Sequence, residues 1–266
     1  EGVSGRPRVG VFAERARPTE DSGTLLAVRG LRRRKLLRDV CFGIAEGGIV
    51  ALAGLMGSGR SGVAHAIFGA DRIGSGQVTV DGRQVVAKSP RSAIARDIAL
   101  LPESRRDQGL LLRRSITENM TLAHIEDVSW MGAIRSREER TRVDALMREL
   151  DIRASDGRVP VGALSGGNQQ KVLFGKWLFR RPRLLIADEP TRGIDVAAKQ
   201  HIYRLLRTLA TYGVAVLLIS SEIEEVIGIA HRVIVLRQGR VVAELAGQKL
   251  TEEALTIAAF GGLVHA

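Results

Sequence analysis

One short segment constrains this chain more than any other. Residues 54–61 read Gly54-Leu55-Met56-Gly57-Ser58-Gly59-Arg60-Ser61, and they follow the apolar run Ile49-Val50-Ala51-Leu52-Ala53. An apolar run of this length bounded by Gly48 and Gly54 reads as a buried strand, and the pattern from Gly59 to Phe68 reads as a helix. Strand, glycine-rich turn and helix together are the context of a phosphate-binding loop. Glycines let backbone N–H groups close around phosphate oxygens, and the helix N-terminus adds partial positive charge. The candidate binding residues are Gly54, Gly57, Ser58, Gly59, Arg60, Ser61 and Gly62, with the Ser61 hydroxyl placed to ligate Mg²⁺. The strict pattern has lysine where this chain has Arg60. Taken alone, the segment also allows a glycine-rich turn that binds nothing.

The rest of the chain supports an α/β fold. Val78–Val80, Ile98–Leu101, Leu184–Ala187, Val214–Ile219 and Val233–Leu236 are strand candidates, and Asp81-Gly82 marks a hairpin turn. Helical patterns at Ser136–Leu150, Asn168–Phe179, Ala197–Tyr212 and Glu222–Ala230 alternate with them, which predicts a largely parallel core sheet. Residues 104–181 carry helices and few strand signals, so they read as a helical subdomain inserted between 25–103 and 182–266. Residues 1–24, rich in Gly, Arg, Pro and Ser, read as a linker or tail. The first residue is Glu1 rather than Met, which suggests a piece of a longer protein.

Two further strings carry chemistry. Leu184-Leu185-Ile186-Ala187-Asp188-Glu189 is an apolar strand ending in two adjacent carboxylates. Successive strand residues point opposite ways, so the two need not share a role. Asp188 is placed to hold Mg²⁺, and Glu189 to polarise an attacking water as general base. Upstream, Leu164-Ser165-Gly166-Gly167-Asn168-Gln169-Gln170-Lys171 starts a helix with a serine and two glycines, a second N-terminus suited to an anion.

Taken together, these strings resemble the ATPases of ATP-binding cassette (ABC) transporters. LSGGNQQK followed by DEPTRGIDV most resembles the second, C-terminal ATP-binding domain of the tandem ATPases that drive import of simple sugars of the ribose, xylose, arabinose and galactose type. The resemblance covers roughly residues 25–260. It implies a P-loop NTPase of ABC type, with a RecA-like core, an antiparallel β subdomain and an inserted α-helical subdomain. It also implies ATP and Mg²⁺ as cofactors and a head-to-tail pairing with the N-terminal nucleotide-binding domain of the same polypeptide. In that pairing Ser165, Gly166, Gly167 and Gln169 would serve the partner's nucleotide, and Asp195 matches the interfacial loop. Transmembrane permease subunits would dock near Glu103–Met120, indirectly linked to a secreted sugar-binding protein, with the chain at the cytoplasmic face of the membrane.

Four departures from the family pattern fall on this domain's own ATP side. Arg60 keeps the charge of the usual lysine, but its longer planar fork cannot sit as a compact ammonium between phosphates. Glu103 aligns with a glutamine that senses Mg²⁺, and Ser221 with a histidine that contacts the γ-phosphate. No aromatic lies between Leu25 and Asp39 to stack on adenine. The expectation is a degenerate site at Arg60 and an intact signature donated to the partner. The alternatives are a soluble ABC ATPase acting on nucleic acid or ribosomes, and a nucleotide-binding structural partner without catalysis.

The net charge of +11 bears on the nucleic-acid alternative. Only six of the 40 basic residues are lysine, which reads as arginine bias, and no basic run is interleaved with aromatics. Nucleic acid is therefore not the expected partner. No run approaches the ~18–20 apolar residues of a membrane span. The single cysteine, Cys41, excludes an internal disulfide; its neighbours Val40 and Phe42 suggest that it is buried. The five histidines show no metal-ligand spacing.

Overall fold

The computed structural model describes residues 23–261 except 35 and 86–88. All but the last two residues of the predicted tail therefore lie outside the described residues. The chain opens with β1 (Thr24–Arg33) and β2 (Leu37–Ala45), then enters the core with β3 (Ile49–Ala53) and α1 (Arg60–Phe68). It continues with the hairpin β4 (Ser75–Val80) and β5 (Arg83–Gln84), the short α2 (Pro90–Ile94) and β6 (Ile98–Leu101). A helical lobe follows: α3 (Ile116–Thr121), the small hairpin β7 (Ser129–Trp130) and β8 (Ala133–Ile134), α4 (Ser136–Glu149) and α5 (Gly166–Leu178). The chain then returns to the core through β9 (Leu184–Asp188), α6 (Val196–Thr211), β10 (Ala215–Ile219) and α7 (Ile223–Ile229). It ends in β11 (Arg232–Arg237), β12 (Arg240–Ala246) and α8 (Glu252–Phe260).

Six strands form the central sheet in the order β12-β11-β3-β10-β9-β6, parallel except for the β11–β12 hairpin. Strands β9 and β10 are buried along their whole length, which is why they are unbroken apolar runs rather than alternating ones. A second sheet, β2-β1-β4-β5, is antiparallel throughout. It turns Leu26, Val28, Leu31, Val40, Phe42 and Ile44 inward and arginines outward. Asp81 and Gly82 both take positive φ in its tight turn, the geometry that matches the strand twist.

Cys41 corrects an expectation. It is exposed, and its Sγ accepts a bond from the Gly30 N–H at 3.0 Å. Successive strand residues face opposite ways, so between the buried Val40 and Phe42 the Cys41 side chain lies on the outer face. The lobe at 104–181 is helical with one small β hairpin that the sequence did not signal. Trp177 on α5 packs edge-on against Phe68 of α1, with ring centroids 5.8 Å apart, and joins this lobe to the core.

Candidate functional site

The parallel strands deliver the phosphate loop and the Asp188–Glu189 pair to one edge of the sheet, at their carboxyl ends, where open α/β sheets bind ligands. After β3 the chain turns at Gly54, with φ +146°; a Cβ there would meet the Leu236 carbonyl oxygen at 2.2 Å. Gly59, with φ +106°, precedes α1, whose first turn receives no side-chain cap. Leu55 and Met56 form the exposed crest, while the Ser58 hydroxyl is buried without a hydrogen-bond partner. Uncapped helix amides beside an unsatisfied hydroxyl suit an anion with several oxygens.

Asp188 ends β9 and is 1% exposed, with neither carboxylate oxygen hydrogen-bonded. Burial raises its pKa; the Ser61 hydroxyl pulls the other way, although its geometry falls short of a hydrogen bond. A buried, unpartnered carboxylate beside a serine hydroxyl fits a hard cation that prefers oxygen ligands, so Ser61 and Asp188 are suited to Mg²⁺.

Glu189 leaves the strand line with φ +48°, and its N–H donates to the Ile219 carbonyl at 2.8 Å. Its Oε2 accepts from both the N–H and the hydroxyl of Ser221, each at 3.1 Å. Its Oε1 lies 3.8 Å from Nη1 of Arg60, which donates to the Ser220 carbonyl at 2.6 Å. Arg60 thus spans from the phosphate loop to the general-base candidate. Ser221 holds the Glu189 carboxylate in place.

Behind this layer lies a residue that sequence reading missed. Glu225 on α7 is 1% exposed and accepts from the Thr191 hydroxyl at 3.1 Å and the Ser220 hydroxyl at 2.5 Å. Burial pushes its carboxyl up to about 7, against the pull of the Ser220 and Thr191 hydroxyls. Its sequence signal, one Glu among three in 222–225, is that of an ordinary solvated helix start.

The signature residues form a separate surface. Ser165 caps α5, accepting from the Asn168 N–H at 3.5 Å and its side-chain amide at 3.1 Å. Ser165, Gly167, Asn168, Asp195, Ala198 and His201 line part of a cleft of about 310 Å³. No hydrogen bond or ion pair found among the described residues joins this surface to residues 54–62.

Two candidates are placed otherwise than expected. Gln169 is buried: its Oε1 accepts from Arg105 at 3.4 Å, and its amide donates to the carbonyls of Leu164 at 3.0 Å and Val161 at 3.4 Å. It braces the loop before α5. Glu103 does not add free charge near the phosphates, because it is ion-paired with Arg192.

The ABC transporter family pattern matches residues 37–192, more than half of the chain. The chain belongs to the ABC transporter ATPase family. It is 46% identical over 237 residues to the ribose import ATP-binding protein of Geobacillus kaustophilus, covering 89% of this chain and 48% of that protein. A ribose import ATP-binding protein of Rhizobium meliloti is 44% identical over 252 residues, 94% of this chain and 50% of that protein. The chain therefore spans about half the length of the curated relatives it matches. A nucleotide-free ATP-binding cassette from an ABC transporter superposes with a TM-score of 0.75 at 20% identity, covering 88% of this chain and 96% of that one. A dimeric post-hydrolysis cassette bound to ADP and phosphate gives 0.73 at 24%, covering 85% and 99%. These likenesses establish the ABC cassette fold. No helix among the described residues is long and apolar enough to cross a membrane.

Proposed function

We propose that this chain is the C-terminal cassette of a tandem ATPase that powers import of a monosaccharide, working at the cytoplasmic face of the membrane with permease subunits. The observation that carries the ATP-binding part is Asp188, buried and unpartnered beside Ser61 at the mouth of the phosphate loop. The ribose import relatives support the sugar, and the half-length match is consistent with a tandem arrangement.

In this reading the loop amides of 57–61 bind the phosphates, and Ser61 and Asp188 hold Mg²⁺. Bound there, the ion offsets charge on the β- and γ-phosphates. Glu189, oriented by Ser221, accepts a proton from the attacking water. Arg60 is held by the Ser220 carbonyl beside Glu189, and its planar fork presents the charge differently from a lysine ammonium, which makes this site the slower of the two. The stronger contribution is Ser165, Gly166 and Gly167, presented to the ATP of the N-terminal nucleotide-binding domain.

ATP turnover of the full-length protein with its permease separates the two sites. Ser165→Arg is expected to remove most of the activity, and Glu189→Gln only a minor part. Loss of all turnover with Glu189→Gln alone, alongside a harmless Ser165→Arg, overturns the asymmetry.

A further inference from the structure

We infer that Arg105 is a positioning residue for the ATP site to which this chain presents Ser165, an inference that rests on the cross-site reading above. Arg105 opens a single π-helical turn, Arg105–Gly109, in the connection after β6. Its guanidinium reaches two separate segments through three different nitrogens. Nε donates to Gln169 Oε1 on α5 at 3.4 Å, Nη1 to the Arg192 carbonyl at 2.9 Å, and Nη2 to the Gly193 carbonyl at 3.3 Å. The fork also comes close to the start of α5, since a Cβ on Gly166 would meet Nη2 at 2.7 Å. Glu103, two residues earlier, holds the Arg192 side chain.

The same loop therefore grips the first turn of the signature helix and the segment that follows Glu189. The consequence is geometric. Ser165 and Gly167 act only if their hydroxyl and amide meet a phosphate at hydrogen-bond distance, and the 192–195 segment lines the same cleft through Asp195. Arg105 sets the spacing between these two walls without itself lining the cleft. The three acceptors are met from three separate nitrogens of one planar fork; an ammonium donates from a single nitrogen on a flexible stem and holds the two walls less rigidly. A misplacement of about 1 Å is enough to cost a reaction on the order of a hundredfold.

The test uses the full-length protein reconstituted with its permease, carrying Arg105→Gln, Arg105→Lys or Ser165→Arg. The expected result is a fall in kcat of about tenfold or more for both Arg105 variants, with the KM for ATP within about twofold of wild type and an unchanged melting temperature. If Arg105→Gln fails to fold, Arg105→Lys, which keeps the charge, decides alone. A kcat within about twofold of wild type in Arg105→Lys overturns the inference, as does a loss expressed wholly in KM. A normal kcat in Ser165→Arg overturns the underlying reading instead. Loss in Ser165→Arg with normal Arg105 variants overturns only the role of Arg105.

Discussion

Glu225→Gln isolates one buried carboxyl beneath the hydrolytic layer and gives a stability change that depends on pH. Burial lifts this group from its ordinary 4.5 to about 7. The folded chain therefore keeps a proton over a range where the unfolded chain has released it. Stability contributed by the neutral form is fully present below about pH 4.5, falls as pH rises toward 7, and stays low above it. At about 1.36 kcal/mol per unit, the whole rise corresponds to about 3 kcal/mol, most of it between pH 5 and pH 8. Glutamine keeps the shape and one acceptor for the Thr191 and Ser220 hydroxyls but cannot ionise. Urea unfolding of both proteins at the two pH values, followed by circular dichroism, measures the effect. Other titrating groups are common to both proteins and cancel in the comparison. The variant is expected to gain about 2–3 kcal/mol on wild type between pH 5 and pH 8, or about 5–10 °C in melting temperature for a domain of this size. An equal pH dependence in the two proteins refutes the reasoning.

Asp188→Asn removes a buried carboxylate whose oxygens accept no hydrogen bond from the described residues. It is expected to raise the melting temperature without nucleotide, by about 1–3 kcal/mol of stability, and to abolish the further rise on adding MgATP. A thermal-shift assay showing an intact MgATP response contradicts the metal assignment. His124 is 3% exposed, its Nδ1 has no partner, and burial holds its pKa below the ordinary 6.5. Below about pH 6.5 the unfolded chain takes up a proton that the folded chain resists, so stability is lost as pH falls. His124→Phe is expected to flatten that loss between pH 7 and pH 5.5; an unchanged slope in urea unfolding counts against it.

Some of this protein was legible because the physics is local. The β9 and β10 strands lie in the middle of a parallel sheet, buried on both faces, so they appear as unbroken apolar runs between turn residues. Helix α6 shows its buried stripe, Ile202, Tyr203, Leu206, Leu209 and Ala210, and begins at Asp195, whose carboxylate accepts from the Ala198 N–H. The strands β1 and β2 were hidden by arginines on their outer face, and Cys41 was misread because neighbouring apolar residues were given more weight than strand alternation. The phosphate loop, the Asp188–Glu189 pair and the Ser165 helix start were visible as contiguous strings, since each needs its residue types in fixed order to shape a turn or a strand end.

The arginine at position 60 was evident from the sequence, as was its difference from lysine. Its engagement with Ser220 and Glu189 was not. The same holds for Arg105 with Arg192 and Gly193, and for Glu225 with Thr191 and Ser220. Gln169 and Glu103 were assigned to ligands because nothing in their own segments shows the partners that occupy them. The reason is common to all. Main-chain carbonyls such as those of Ser220, Arg192 and Gly193 are acceptors that every residue carries, so no side-chain pattern marks them. Only the stacking of β9, β10 and the helical lobe decides which cation they meet.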